Sequence, residues 1–158
     1  MKQDMRMINS LLLPMREIYL ILPQANVVEI TQQPTIVETQ ETAGWFKGQF
    51  DWRSEPVALV SFAGLCGWRS ANLRGARSMV AILHTLGEVL DLRFYAFEIW
   101  GIPRSISLGA NSLKIAEEVA NASDCVANHV LFGGQRAIIP DLERIEHRIQ
   151  EQIGKETS

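Results

Sequence analysis

The chain has 158 residues, enough for one well-buried core or for two small lobes that share one. Hydrophobic residues at 47% and charged residues at 21% exclude long disorder. A balance of 15 basic against 18 acidic residues, net −3, leaves no diffuse positive field for non-specific nucleic-acid or membrane-surface binding.

The opening stretch "MKQDMRMINSLLLPMREIYLILP" sets basic residues ahead of an apolar run, in the manner of a signal peptide, but Asp4, Pro14, Arg16 and Glu17 interrupt it. No run of about 18 apolar residues spans a bilayer, so the expected location is cytoplasmic. From there the chain is punctuated by Gly, Pro, Asn and Asp into short β-branched or aromatic segments, which predicts strands. Ten are expected: "SLLLPM", "REIYLILP", "TIVET", "GQFDWR", "PVALVSF", "RSMVAILHT", "LRFYAFEIWG", "SISLG", "CVANHVLF" and "RAIIP". That number of short strands fits sandwiches or small barrels. Met15-Arg16-Glu17 is placed to join the first two strands, and Gly133-Gly134 supplies the positive φ of a tight hairpin between the last two. Residues 113–122, "LKIAEEVANA", read as helix by propensity and as strand and loop by their surroundings. In "DLERIEHRIQEQI" the spacing of Leu142, Ile145, Ile149 and Ile153 predicts a helix with one apolar face, and Asp141 is its expected N-cap.

The chemistry-bearing residues are sparse. Cys66 and Cys125 are too few for a disulfide framework and lie in no C-x-x-C pair, which points to a reducing compartment. His84, His129 and His147 show no metal-ligand spacing, so no metal is expected, and "NAS" at 121–123 reads as a chance sequon. The chain has no phosphate loop, G-x-G-x-x-G or G-x-S-x-G, so neither a cofactor nor an enzymatic activity is expected. What stands out is "GWFKGQFDWRSEPVALVSF", residues 44–62, where aromatics interleave with Lys47 and Arg53 ahead of a buried strand. Stacked aromatics and cations suit single-stranded nucleic acid, but Asp51 and Glu55 flank an arginine with too small a basic footprint. A core hairpin with a solvated Arg53 and a protein interface remain, and Arg is a frequent interface anchor. Strand alternation puts Trp52 and Arg53 on opposite faces.

Over residues 11–150 the sequence resembles the CheW-like adaptor family of bacterial chemosensory systems, through four segments in order. These are "ILPQANVVEI" (21–30) with its Val-x-Glu-Ile ending, "GWFKGQFDWRSEPVALVSF", "RFYAFEIWGIPRSISL" (93–108) and "LFGGQRAIIPDLERI" (131–145). The resemblance implies an all-β, CheW-like fold of two five-stranded SH3-like β-barrel subdomains with a short C-terminal helix. It implies a single domain over 11–150, with 1–10 and 151–158 as short extensions. It further implies a non-catalytic adaptor, without cofactor or metal, that couples a methyl-accepting chemoreceptor's cytoplasmic tip to the regulatory domain of a CheA-type histidine kinase. Such an adaptor is cytoplasmic and recruited to membrane-associated receptor arrays, with no nucleic acid and no membrane insertion. Carried over by position, Val27 and Glu29 match the first segment and Gly48 and Arg53 the second, with Arg53 at the inter-barrel groove. With Trp52 they form the expected protein-binding set.

"NLRG" at 72–75 repeats the arginine motif out of context, because the Pro-containing strand follows Arg53. Three departures stand out: Trp52 for the usual Leu, Ser54 for the usual Gly, and Trp100 for the usual Asp before Gly101. They make the sequence most similar to the divergent ChpC-type adaptors of type IV pilus twitching-motility systems. The alternative reading of the residues is a small β-barrel ligand- or nucleic-acid-binding module, with a hydrolase third.

Overall fold

The computed structural model describes residues 7–15, 18–37, 44–68, 79–116 and 123–156. In chain order the strands are β1 (Ile8–Met15), β2 (Ile18–Pro23), β3 (Val27–Gln32), β4 (Phe46–Trp52), β5 (Glu55–Val60), β6 (Met79–His84), β7 (Phe94–Ile99), β8 (Arg104–Leu108), β9 (Leu113–Ile115), β10 (Val126–Phe132) and β11 (Gln135–Pro140). A 3-10 turn, Gln24–Asn26, precedes β3, and the helices are α1 (Phe62–Leu65) and α2 (Leu142–Glu156). The strands form a six-stranded sheet, β8-β1-β2-β11-β10-β9, and a five-stranded sheet, β3-β6-β7-β5-β4. The fold is mostly β, in two sheets with a C-terminal helix as expected, and the short β9 is what takes the first sheet beyond five strands.

Connectivity curls both sheets. Laid flat, the edges of a six-stranded sheet stand about 24 Å apart. Yet the edge strands β8 and β9 are joined by residues 109–112 alone, which reach about 18 Å fully extended. That link is folded into a turn, with the Gly109 N–H on Ser112 Oγ at 2.8 Å. In the second sheet Val37, just after edge strand β3, exchanges backbone hydrogen bonds with Gln49 on the opposite edge, β4.

Alternation along the central strands then sorts side chains between three cores. Leu12 and Ile21 point into the first barrel, with Leu108, Val130 and Ala137. Val57, Leu59, Val80, Ile82 and Ala96 fill the second. Their sequence neighbours Leu11, Leu13, Leu20, Leu22, Ala58, Val60, Ala81, Leu83, Tyr95 and Phe97 turn the other way, into one shared core. Strands buried on both faces need apolar residues at every position, and this is why "PVALVSF" and "MVAILH" read as unbroken runs.

Helix α2 closes that shared core with Ile145 and Ile149, both fully buried, and with Leu142 and Ile153 at its margin. Asp141 caps it, accepting the Arg144 N–H on Oδ1 at 3.0 Å. Its next row of side chains grips the β6–β7 loop. Both Glu146 oxygens accept the Leu86 N–H at 3.0 Å, and Gln150 Oε1 accepts the Asp91 N–H at 2.9 Å. On another side Arg148 donates to the Leu65 carbonyl at the end of α1 (2.9 Å) and to Cys125 Sγ (3.5 Å), with its guanidinium 5.2 Å from the Trp45 ring centre. Cys66 and Cys125 are free thiols, and burial pushes Cys66 up to about 11.

Several sequence expectations change here. Of "TIVET", the described residues 35–37 form no strand and contribute an isolated antiparallel bridge from Val37 to Gln49, and the last two residues lie outside the described set. Phe62 starts α1 instead of ending a strand, because the Ser61 hydroxyl accepts the Gly64 N–H at 3.1 Å and caps a helical turn. "VVEITQ" forms β3, a strand absent from the ten. Of residues 113–122, 113–115 form β9 and 117–122 lie outside the described residues, as do Arg16, Glu17, "NLRG" and the first two residues of the sequon. Gly133 and Gly134 take φ of 56° and 82° in the expected hairpin.

Glu146 is 1% exposed, and burial raises its carboxyl above the ordinary range. The fully buried Tyr95 phenol beside it is raised well above its own range by burial and then by the Glu146 charge. A carboxyl raised on folding contributes stability that is full below its unfolded value, near 4.5, and lost as pH rises through the folded one. Glu146→Gln should therefore melt higher than wild type at pH 7, with the gap closing towards pH 4. Glu146→Leu, which strands the Leu86 N–H, should cost about 1–3 kcal/mol in denaturant unfolding.

Candidate functional site

The β4–β5 hairpin turns on two residues. Trp52 pairs with Glu55 across it, and Arg53 and Ser54 between them have φ of 49° and 64°. Two left-handed residues in a two-residue loop make a type I′ turn, which matches the twist of paired strands and ordinarily takes Asn-Gly. Here neither position is glycine. The turn projects Arg53 beyond the barrel end, exposed.

This corrects the expectation that Trp52 and Arg53 face opposite ways. Alternation stops at the end of β4, and in the turn the Arg53 guanidinium folds back over the Trp52 ring, 4.5 Å from its centre. The other edge of Trp52 reaches β3, where its indole N–H donates to Glu29 Oε2 at 2.5 Å. Because β3 and β4 are opposite edges of one sheet, this bond ties the barrel shut at the end where Arg53 emerges. Phe94 supports the indole edge to face, at 5.0 Å and 85°, with His84 5.4 Å beyond it. An exposed ion pair, Arg93 to Glu55 at 3.3 Å, flanks the turn and contributes little to stability.

Of the residues the sequence nominates, Glu29, Trp52 and Arg53 come together. Val27 does not join them: it is half-buried against the shared core. Gly48 is buried four residues up β4, beside a bulge, with φ of 127°. A Cβ there would meet Ile36 Cγ2 and the Val37 carbonyl oxygen at 2.5 Å, so the glycine lets the segment that pairs with Gln49 approach β4 this closely. Between the barrels lies an open, mostly apolar groove of about 430 Å³, lined by Leu22, Pro23, Leu86, Ile139 and Leu142 among others. Asn26, next to Val27, is among its lining residues, and Arg53 is not. Phe94 was not singled out by the sequence reading. The signal available for the turn was Ser54 standing at the family's glycine position.

The CheW-like domain family matches residues 10–150. The chain belongs to the CheW-like family. Its fold is similar to that of the scaffolding protein TtCheW from Thermoanaerobacter tengcongensis, with a TM-score of 0.71 at 16% identity, covering 87% of this chain and 90% of that one. No curated protein matches the sequence. Among the described residues no group of three or more His, Cys, Asp or Glu side chains is placed to hold a metal ion, and no helix is long and apolar enough to cross a membrane.

Two substitutions separate the backbone demands of this CheW-like hairpin. Ser54→Gly removes a left-handed side chain at some cost in unfolded-state entropy and should stabilise by about 0.5–1 kcal/mol, read as a rise in melting temperature. Gly48→Ala meets both an unfavourable φ and a collision with backbone, and should destabilise by about 2 kcal/mol or more.

Proposed function

We propose that this CheW-like protein is a non-catalytic chemosensory adaptor, a single domain over residues 11–150 that couples a methyl-accepting receptor to a CheA-type histidine kinase in the cytoplasm, at membrane-associated receptor arrays. The observation that carries this reading is the exposed Arg53, presented from a conformationally restricted turn and resting on Trp52 beside Glu29. An arginine whose face is covered and whose edge is accessible suits a protein interface, because the planar fork pairs with carboxylate or carbonyl groups. Val27, at the start of β3, and Gly48, which shapes β4, support the same barrel.

The departures Trp52, Ser54 and Trp100 favour, within the family, a divergent adaptor of the ChpC type from a type IV pilus system. Two of them have a visible place in the structure, where Trp52 bonds Glu29 and Ser54 takes the left-handed turn position. At Trp100 the backbone N–H donates to the Pro14 carbonyl at 2.9 Å, joining the two barrels, a bond that does not depend on the side chain.

Arg53→Ala should weaken binding to the kinase regulatory domain or to a receptor-tip peptide by about 2 kcal/mol, roughly thirtyfold, with an unchanged melting curve. Calorimetric titration of both partners measures it. A folded variant with unchanged affinity for both removes Arg53 from the interface.

A further inference from the structure

Trp52 makes three directional contacts with three other elements. Its indole N–H holds the Glu29 carboxylate of β3, its face carries the Arg53 guanidinium of the turn, and its ring packs perpendicular to Phe94 of β7. Glu29 and Arg53 carry opposite charges at one barrel end, and a direct pair between them would occupy the donors of the arginine fork. The neutral indole N–H satisfies the carboxylate without using those donors. Among the described residues, neither a hydrogen bond nor an ion pair to Arg53 is found. We propose that Trp52 is the positioning residue of this site, holding Glu29 by its N–H and Arg53 by its face so that the arginine fork stays free for a carboxylate on the partner protein.

The inference rests on the adaptor reading above and adds what the partner presents. The turn restricts the Arg53 backbone, and the stack restricts its side chain, so less freedom is lost when the fork is engaged. Trp52 holds the Glu29 carboxylate at this end of the barrel, and the exposed Asp51 is two residues from Arg53 in sequence, a local negative charge that disfavours a doubly charged phosphate group. A single Asp or Glu side chain matches the fork bidentately and carries one charge. The usual leucine at position 52 offers neither an N–H nor a π face, so this device belongs to the present chain and not to the family pattern.

The test uses the full-length protein titrated with the purified regulatory domain of a CheA-type kinase, in a mutant cycle. Arg53→Ala and Trp52→Leu should each weaken binding about tenfold or more, and the double variant should be no weaker than Arg53→Ala alone, because Trp52 acts through Arg53. Trp52→Phe keeps the ring but frees Glu29 to capture Arg53. It should bind with intermediate affinity, and adding Glu29→Gln should restore binding to within about threefold of wild type. Additive losses for Trp52→Leu and Arg53→Ala, or no rescue by Glu29→Gln, overturn the proposal. Should Trp52→Leu fail to fold, the Trp52→Phe pair decides. A partner-independent arm records the ¹⁵N heteronuclear NOE of the Arg53 side-chain Nε–H, which should fall in Trp52→Leu and persist in Trp52→Phe. If wild type does not bind the kinase domain, the adaptor reading fails by itself, and an NOE unchanged in Trp52→Leu then overturns the positioning role.

Discussion

Burial of the central strands on both faces is the constraint on which the rest of the structure depends. β1, β2, β5, β6 and β7 each send alternate residues into their own barrel and into the core between the barrels. Neither barrel therefore has a solvent-facing side along these strands. Burial of apolar surface at about 25 cal/mol per Å² makes separation of the lobes costly, because Tyr95, Phe97, Leu13 and Leu20 would all be exposed at once. Helix α2 completes the same core, and through Glu146 and Gln150 it holds the backbone of the β6–β7 loop against the body of the protein.

A rigid shared core lets the candidate site sit on a strained hairpin at the far end of one barrel. Two non-glycine residues with positive φ persist only when their surroundings determine them, and here β4 and β5 are paired up to the turn itself. Gly48 shapes the strand that leads there, and the Trp52–Glu29 bond closes the barrel beside it. Arg53 thus stands on a framework whose stability comes from elsewhere, which is the arrangement expected of a recognition residue on a fixed scaffold. For the adaptor role proposed above, presentation of such groups at fixed geometry is what the fold has to supply.

Much of this was legible in the sequence because it depends on local chemistry. Strand positions followed from β-branched runs and their Gly, Pro and Asn boundaries, the β10–β11 hairpin from Gly133-Gly134, and α2 from the Leu142, Ile145, Ile149 stripe behind Asp141. Where local chemistry pointed two ways the reading failed. Phe62 extends an apolar run, yet Ser61 caps a helix there. "TIVET" has strand composition, yet among its described residues, 35–37, only Val37 pairs.

The candidate site was legible as a set of residue types and not as an arrangement. Glu29 and Arg53 match positions of the family pattern, Trp52 is an aromatic departure from it beside the arginine, and nothing in the one-dimensional string joins residue 29 to residue 52. Their meeting is decided by barrel closure, which brings opposite sheet edges together, and by a turn that ends strand alternation at Trp52 and folds Arg53 onto its face. Sequence pattern determines which residues are apolar and which segments extend or coil, because those preferences act over a few residues. Which edge meets which, and hence which charge is held and which is free, is a long-range consequence of packing that only the tertiary structure decides.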